Sequence, residues 1–213
     1  RIKQKLNELN IETKFIKGLR VTDEKVIKVV EEVMINFNKE IVNAIEKKNC
    51  KAKSLTIREN NVIYTQQKNK ELGFVGVPTK VETKIIKNFI KDDIIPIITP
   101  MGIDDVGQAY NINADTAAGA LAINLKSRRL LLMTDVIGVY DKKENLISEI
   151  KPDEAEKLLY DGTIKEGMIP KIRTCINAVE NGVRGVVIID GRKPHSILFE
   201  LFSDKGAGTL IRK

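Results

Sequence analysis

Apolar and polar positions follow two rhythms along this chain, and each change of rhythm marks an element. Ile2, Leu6 and Leu9 recur at helical spacing, so the chain opens inside a helix whose start lies upstream. Residues 15–23 read as a short strand or loop ending at a helix start. Thr22 or Asp23 is the expected N-cap, and Asp23 and Glu24 suit the positive helix end. Val26, Val30, Val33, Phe37, Ile41 and Ile45 form one stripe of a long amphipathic helix that stops near Asn49. Leu55–Ile57 and Val62–Tyr64 read as two strands joined through the turn-forming pair Asn60-Asn61. Gly73 and Gly76 punctuate the next stretch. Thr79 is then expected to cap a helix burying Val81, Ile85, Phe89 and Ile90. Ile94–Thr99, closed by Pro100 and Gly102, reads as a buried strand.

The second half repeats the alternation. Tyr110–Ala122 opens with Asn111, Asn113 and Asp115 at spacing two, on one side of an extended segment, and turns into an alanine-rich helix. Leu130–Thr134 is an apolar strand, and Pro152 opens a helix through Tyr160 that Asp161-Gly162 ends. Ile172, Ile176 and Val179 mark a helix stopped by Gly182, followed by the strand 185–189. A short helix over Ser196–Phe202 and a strand over Thr209–Ile211 close the chain. Apolar strands alternating with amphipathic helices predict an α/β sheet covered on both faces, with a lobe boundary near Ser127.

Composition narrows the function. Hydrophobic residues at 42% and charged residues at 31% fit an ordinary globular protein. The longest apolar runs, such as Leu130–Met133, are too short to cross a bilayer, so no membrane partner is expected. Cys50, Cys175 and the single His195 exclude a disulfide framework and a His-rich metal site, and a cytoplasmic location follows. The net charge of +7 comes from scattered lysines without a basic block, which argues against nucleic acid and suits anionic small substrates. The chain starts at Arg1 without a Met or a signal peptide and reads as entered midway.

Four places carry candidate chemistry, each with a plainer reading beside it. Two amides and a carboxylate at the 111–115 corner suit a polar ligand beside helical N–H groups, or they are a capped loop. Asp135-Val136-Ile137-Gly138-Val139-Tyr140 directly follows an apolar strand, where open α/β sheets bind ligands, or it is a surface turn. Lys171 falls in a first helical turn, where it hints at an anionic ligand or simply faces solvent. Arg20 beside Gly18 suits a carboxylate, or is a surface arginine. No Walker loop, GxGxxG, catalytic triad or metal-ligand cluster exists.

Taken in order, Gly-Leu-Arg-Val-Thr-Asp at 18–23, Leu-Gly-Phe-Val-Gly at 72–76 and Tyr-Asn-Ile-Asn-Ala-Asp at 110–115 resemble the N-acetylglutamate kinases of the amino-acid kinase family. So do Thr-Asp-Val-Ile-Gly-Val-Tyr at 134–140 and Gly-Met-Ile-Pro-Lys at 167–171. The resemblance runs from Arg1 to Lys213 and implies ATP- and Mg²⁺-dependent phosphorylation of the side-chain carboxylate of N-acetylglutamate in arginine biosynthesis. It implies an open, mainly parallel sheet sandwiched between helices, with an N-acetylglutamate lobe over 1–126 and an ATP lobe over 127–213.

By the same resemblance, Arg20 holds the α-carboxylate, and Asn111, with Asn113 beside it, faces the acetylglutamate. Lys171 meets the transferring phosphoryl group, and Asp115 orients the catalytic lysines. Asp135 to Tyr140, with Ile164 and Lys165, cradle the nucleotide. An ionised carboxylate acceptor needs no general base, so alignment and charge neutralisation suffice. Residues 195–209 resemble the arginine-binding signature of feedback-inhibited members, with His195, Glu200 and Gly206 as the candidate ligands. Those members are hexamers joined by an extra N-terminal helix, so a homo-oligomer, dimer or hexamer, is implied.

The chain departs from the pattern. It carries no Lys-x-Gly-Gly strand and no Gly-Gly-Gly loop, has Phe37 in a usual Val-Asn-Lys triplet, and lacks the glycine-rich pattern around Arg58–Asn61. A chain lacking the first part of the first lobe, and nearly inactive alone, is the expectation. The rivals are another family member acting on a different acid or on a phosphate, and a non-catalytic arginine- or nucleotide-binding module.

Overall fold

A computed structural model describes residues 1–16, 18–165, 167–203 and 206–213. Lys17, and Asp204 and Lys205 of the tail signature, lie outside the described residues. The chain divides into two compact units, Arg1–Ala117 and Ala118–Lys213.

In the first unit, helix α1 (Ile2–Glu8) is followed by a hairpin of β1 (Phe15–Ile16) and β2 (Leu19–Arg20), then the long helix α2 (Glu24–Glu46). Asp23 caps α2, its Oδ1 accepting the N–H groups of Lys25 and Val26 at 2.9 Å each. Leu6 of α1 packs with Val26, Ile27, Val29 and Val30 to form the core. Burial fades along α2, contrary to the continuous stripe expected. Phe37 is 39% exposed, and the Arg1 guanidinium lies 4.2 Å above its ring. Strand β3 (Ala52–Leu55) leads to β4 (Ile63–Gln67), β5 (Gly76–Val81) and helix α3 (Thr83–Lys91). Strand β6 (Ile95–Ile98), β7 (Met101–Ile103), β8 (Ala109–Asn111) and the start of helix α4 (Ala114–Leu125) complete the unit.

Three expectations fail here for identifiable reasons. Asn60 does turn the chain, at φ 57°, but β3 and β4 do not pair with each other. β3 runs parallel to β6, while β4 pairs antiparallel with β5 and parallel with β7, giving the order β5-β4-β7-β8. Thr79 caps nothing, because β5 continues to Val81 opposite Ile63 and Glu82 supplies the cap, accepting the N–H of Lys84. Helix α3 consequently buries Ile86 and leaves Ile90 outside. The apolar run of β6 is not buried, since only β3 pairs with it and Ile95 is 44% exposed.

In the second unit the sheet order is β12-β14-β13-β9. Strand β9 (Arg129–Thr134) precedes a small hairpin of β10 (Val139–Tyr140) and β11 (Leu146–Ile147), then β12 (Glu149–Ile150). Helices α5 (Pro152–Tyr160) and α6 (Met168–Glu180), strand β13 (Gly185–Asp190), helix α7 (Ser196–Phe202) and strand β14 (Gly208–Ile211) follow. Every residue of β13 is buried, as a continuous apolar run in a sheet centre should be. Ile172, Cys175, Ile176 and Val179 of α6 pack with Val186 and Ile188 of β13. β9 pairs only with β13, so its apolar run lies at a sheet edge and Met133 is half exposed. The architecture is α/β with mixed sheets, parallel at β3·β6, β4·β7, β9·β13 and β12·β14 and antiparallel elsewhere. Among the described residues, no helix is long and apolar enough to cross a membrane.

Candidate functional site

Three separated segments meet in the first unit. The Thr22 N–H donates to Leu72 O at 3.0 Å, the Phe74 N–H to Thr22 O at 2.6 Å, and the Asn111 N–H to Phe74 O at 2.9 Å. Thr22, fully buried, also donates its hydroxyl to Arg20 O at 3.0 Å and receives the Asn111 amide at 3.4 Å. Gly73 makes this closeness possible. Its φ is 65°, and a Cβ there would collide with Thr22 O. Arg20 and Asn111 therefore belong to one knot of backbone and side chains.

The Arg20 guanidinium donates to Thr13 Oγ1 at 2.9 Å and lies 4.7 Å above the Phe15 ring, so its direction is fixed by the hairpin. Burial lowers its pKa, though an arginine stays charged at any physiological pH. The spacing-two argument for the 111–115 corner holds for Asn111 only. Asn113 Oδ1 accepts the Thr116 N–H at 3.1 Å and so caps α4, which puts Asp115 in the first helical turn rather than on a strand.

In the second unit the carboxyl ends of β9 and β13 lie side by side, Thr134 opposite Asp190, with the Gly191 N–H donating to Thr134 O at 2.8 Å. The 135–140 loop leaves from this edge. Its glycine is required, because a Cβ at Gly138 would overlap Thr209 Oγ1. Thr209, fully buried, accepts the Val139 N–H at 2.8 Å and donates to Ile147 O at 2.6 Å, fastening the loop to β14. Asp135 and Tyr140 are exposed. Ile164 is 5% exposed within the core, so only its backbone can meet a ligand, whereas Lys165 is exposed. Helix α6 starts at Met168, earlier than the expected Ile172, and Lys171 is 8% exposed rather than solvent-facing.

Sequence reasoning offered Thr22 only as a helix cap, and passed over Thr209 and the Asp190–Arg192 pair at the end of β13. Arg192 donates to both oxygens of Asp190, Nε to Oδ1 at 2.9 Å and Nη2 to Oδ2 at 3.0 Å. This hydrogen-bonded guanidinium, with the Arg192 N–H, holds the Asp190 carboxyl down at about 2. The signal was present: Asp190-Gly191-Arg192 directly follows a buried strand, just as Asp135 follows β9.

The tail residues separate. Glu200 is buried, pairs with Arg129 Nη1 at 3.0 Å and accepts the Ala207 N–H at 2.9 Å. Gly206 approaches so closely that a Cβ there would sit 3.2 Å from Glu200 Oε2. Glu200, Gly206, Arg129 and Ser203 line a cleft of about 270 Å³. His195 lies outside it, exposed before α7 with φ 61°.

Residues 1–190 match the amino acid kinase family. The chain is 54% identical to the acetylglutamate kinase of Pelagibacter ubique (strain HTCC1062), across 100% of this chain and 74% of that protein. It is 46% identical to the acetylglutamate kinase of Rhodospirillum rubrum, across 97% of this chain and 71% of that one. The crystal structure of smu.665 from Streptococcus mutans UA159 superposes with a TM-score of 0.87 at 28% identity, over 99% of this chain and 81% of that one. The fold is also that of N-acetylglutamate synthase from Neisseria gonorrhoeae complexed with coenzyme A and N-acetyl-glutamate, with a TM-score of 0.89 at 22% identity, over 100% of this chain and 49% of that one. The chain belongs to the amino acid kinase family. Within it, the chain groups with the acetylglutamate kinases, phosphotransferases whose acceptor is N-acetylglutamate.

Proposed function

We propose that the chain transfers the γ-phosphoryl group of ATP to the side-chain carboxylate of N-acetylglutamate, the 1–126 lobe holding the acceptor and the 127–213 lobe the nucleotide. The carrying observation is the hydrogen-bonded knot of Arg20, Thr22, Gly73 and Asn111, in which the first three motif segments meet. Arg20 binds the α-carboxylate, where a guanidinium already aimed by Thr13 and Phe15 loses little freedom. Asn111 contacts the acetylamino end with Asn113 fixing the turn beneath it. Lys171 carries positive charge to the phosphoryl oxygens, and Asp115 orients the lysine. Asp135 to Tyr140, Ile164 and Lys165 hold the nucleotide. Mg²⁺ would accompany the nucleotide and neutralise charge on its phosphates, with Asp135 as the carboxylate of the 135–140 loop that could help to hold it.

Three finer points belong to the same reading. The 213 residues alone, without a Lys-x-Gly-Gly segment, turn over about 10²–10³-fold more slowly than a chain that has one. Arginine inhibits by placing its guanidinium on Glu200 in competition with Arg129; a buried carboxylate that lines a cleft supports this reading over a plain structural turn. The enzyme is a cytoplasmic homo-oligomer. N-acetylglutamate-dependent ADP formation tests the activity, and equal rates with acetylglutamate, glutamate and carbamate would refute it.

A further inference from the structure

Away from the carboxyl edge that bears the nucleotide loop, the second unit gathers four arginines. Arg128 precedes β9 and Arg129 opens it, Arg184 precedes β13, and Arg212 follows β14; with Gly185 and Leu210 they line a cleft of about 170 Å³. The register explains the gathering. Arg129 is the partner of Gly185 on parallel strands, so Arg128 and Arg184, each one residue earlier, enter the sheet at the same end and line the same cleft. Ile211 is the partner of Val186, which brings Arg212 to the same end of the sheet.

Their charges are unequally satisfied. Arg129 is held by Glu200, and Arg212 by both oxygens of Glu149, at 2.7 and 2.9 Å. Among the described residues, the side chains of Arg128 and Arg184 have no hydrogen bond or ion pair. Like charges gathered at one end of neighbouring strands are unfavourable, and no carboxylate among the described residues pairs with either arginine. Glu200 and Glu149 are already engaged by the other two guanidiniums.

We infer that Arg128 and Arg184 form a binding site for a small multivalent oxyanion, a phosphate or a di- or tricarboxylate. Two adjacent guanidinium forks match the paired oxygens of either group. The volume admits an ion of that size and falls below the range of nucleotide-sized pockets. Arg129 also lines the Glu200 cleft, so an anion here bears on the same guanidinium that covers Glu200. The site stands without the kinase reading, because it uses none of the residues assigned to catalysis.

The test is calorimetric and thermal titration of the protein with orthophosphate and, separately, citrate, against sodium chloride at matched ionic strength. Wild type should bind at least one of the two saturably, with a raised Tm, and R128Q/R184Q should bind it roughly tenfold or more weakly. K28Q/K39Q, which removes equal charge from exposed positions on α2, should bind like wild type. If the double variant folds poorly, R184K serves instead: keeping the charge while losing the fork should still weaken binding. Citrate without phosphate binding would identify carboxylates as the source, and phosphate alone the reverse. Titration of both anions that chloride reproduces, or equal binding by R128Q/R184Q, would overturn the site.

Discussion

The hydroxyl of Thr209 ties Val139 to Ile147, accepting the N–H of one at 2.8 Å and donating to the carbonyl of the other at 2.6 Å. A single buried side chain thus closes both strands of the β10–β11 hairpin onto β14 and sets the exit of the 135–140 loop. Thr209→Val keeps the shape and removes both bonds. It should cost about 1–3 kcal/mol in urea unfolding and raise the KM for ATP, leaving that for N-acetylglutamate within about twofold. An unchanged ATP KM would detach this loop from the nucleotide.

Gly73 sits where a side chain has no room. Gly73→Ala must either push Thr22 away or leave the left-handed region, at a cost of roughly 2 kcal/mol or more. Because Thr22 joins Arg20 to Asn111, the surviving fold should show a raised KM for N-acetylglutamate with kcat less affected. Equal losses in the KM of both substrates would point to general loosening instead.

The Asp190–Arg192 pair predicts a pH dependence. The ordinary carboxyl value near 3.8 falls to about 2 in the fold, so the folded state prefers the ionised form. The sign follows: this stabilisation is present above about pH 4 and is lost as pH falls toward 2. Urea unfolding at successive pH values should show Arg192→Gln losing less stability than wild type between pH 4 and 2, after starting lower at pH 7. Parallel curves would show the pair to be inert.

The Glu200–Arg129 pair predicts the regulatory behaviour. Glu200→Gln should abolish inhibition by millimolar arginine while leaving uninhibited kcat within about twofold, as initial rates with and without arginine would report. Arg129→Gln should instead strengthen inhibition, since it removes the competing guanidinium. Insensitivity of wild type to arginine would remove the proposal.

Helix α5 was legible to the residue, because Pro152 and Gly162 bracket it with local signals, and α7 likewise follows its apolar run. Strands β6, β9, β13 and β14 fall within a residue of their apolar runs, but the pairing of the strands was not legible. Nothing local tells β3 to choose β6 over β4, since that pairing depends on partners some forty residues away in sequence. Strands as short as β7 or β10 carry too few residues to show a period. Among the candidate residues, Arg20, Asn111 and Lys171 stood out in the sequence because glycine turns and a helix start flank them. Thr22 and Thr209 did not, because a threonine's role lies in which backbone groups reach it, and only folding brings Phe74 to one and Val139 to the other.

The central claim rests on Lys171 acting on the transferring phosphoryl group of an N-acetylglutamate kinase. The direct measurement is N-acetylglutamate-dependent ADP release by the product of the complete coding sequence, wild type against Lys171→Ala. The predicted result is turnover in wild type and a loss of about 10²-fold or more in kcat for Lys171→Ala. Turnover by Lys171→Ala at the wild-type rate, or ADP release indifferent to N-acetylglutamate, would contradict it.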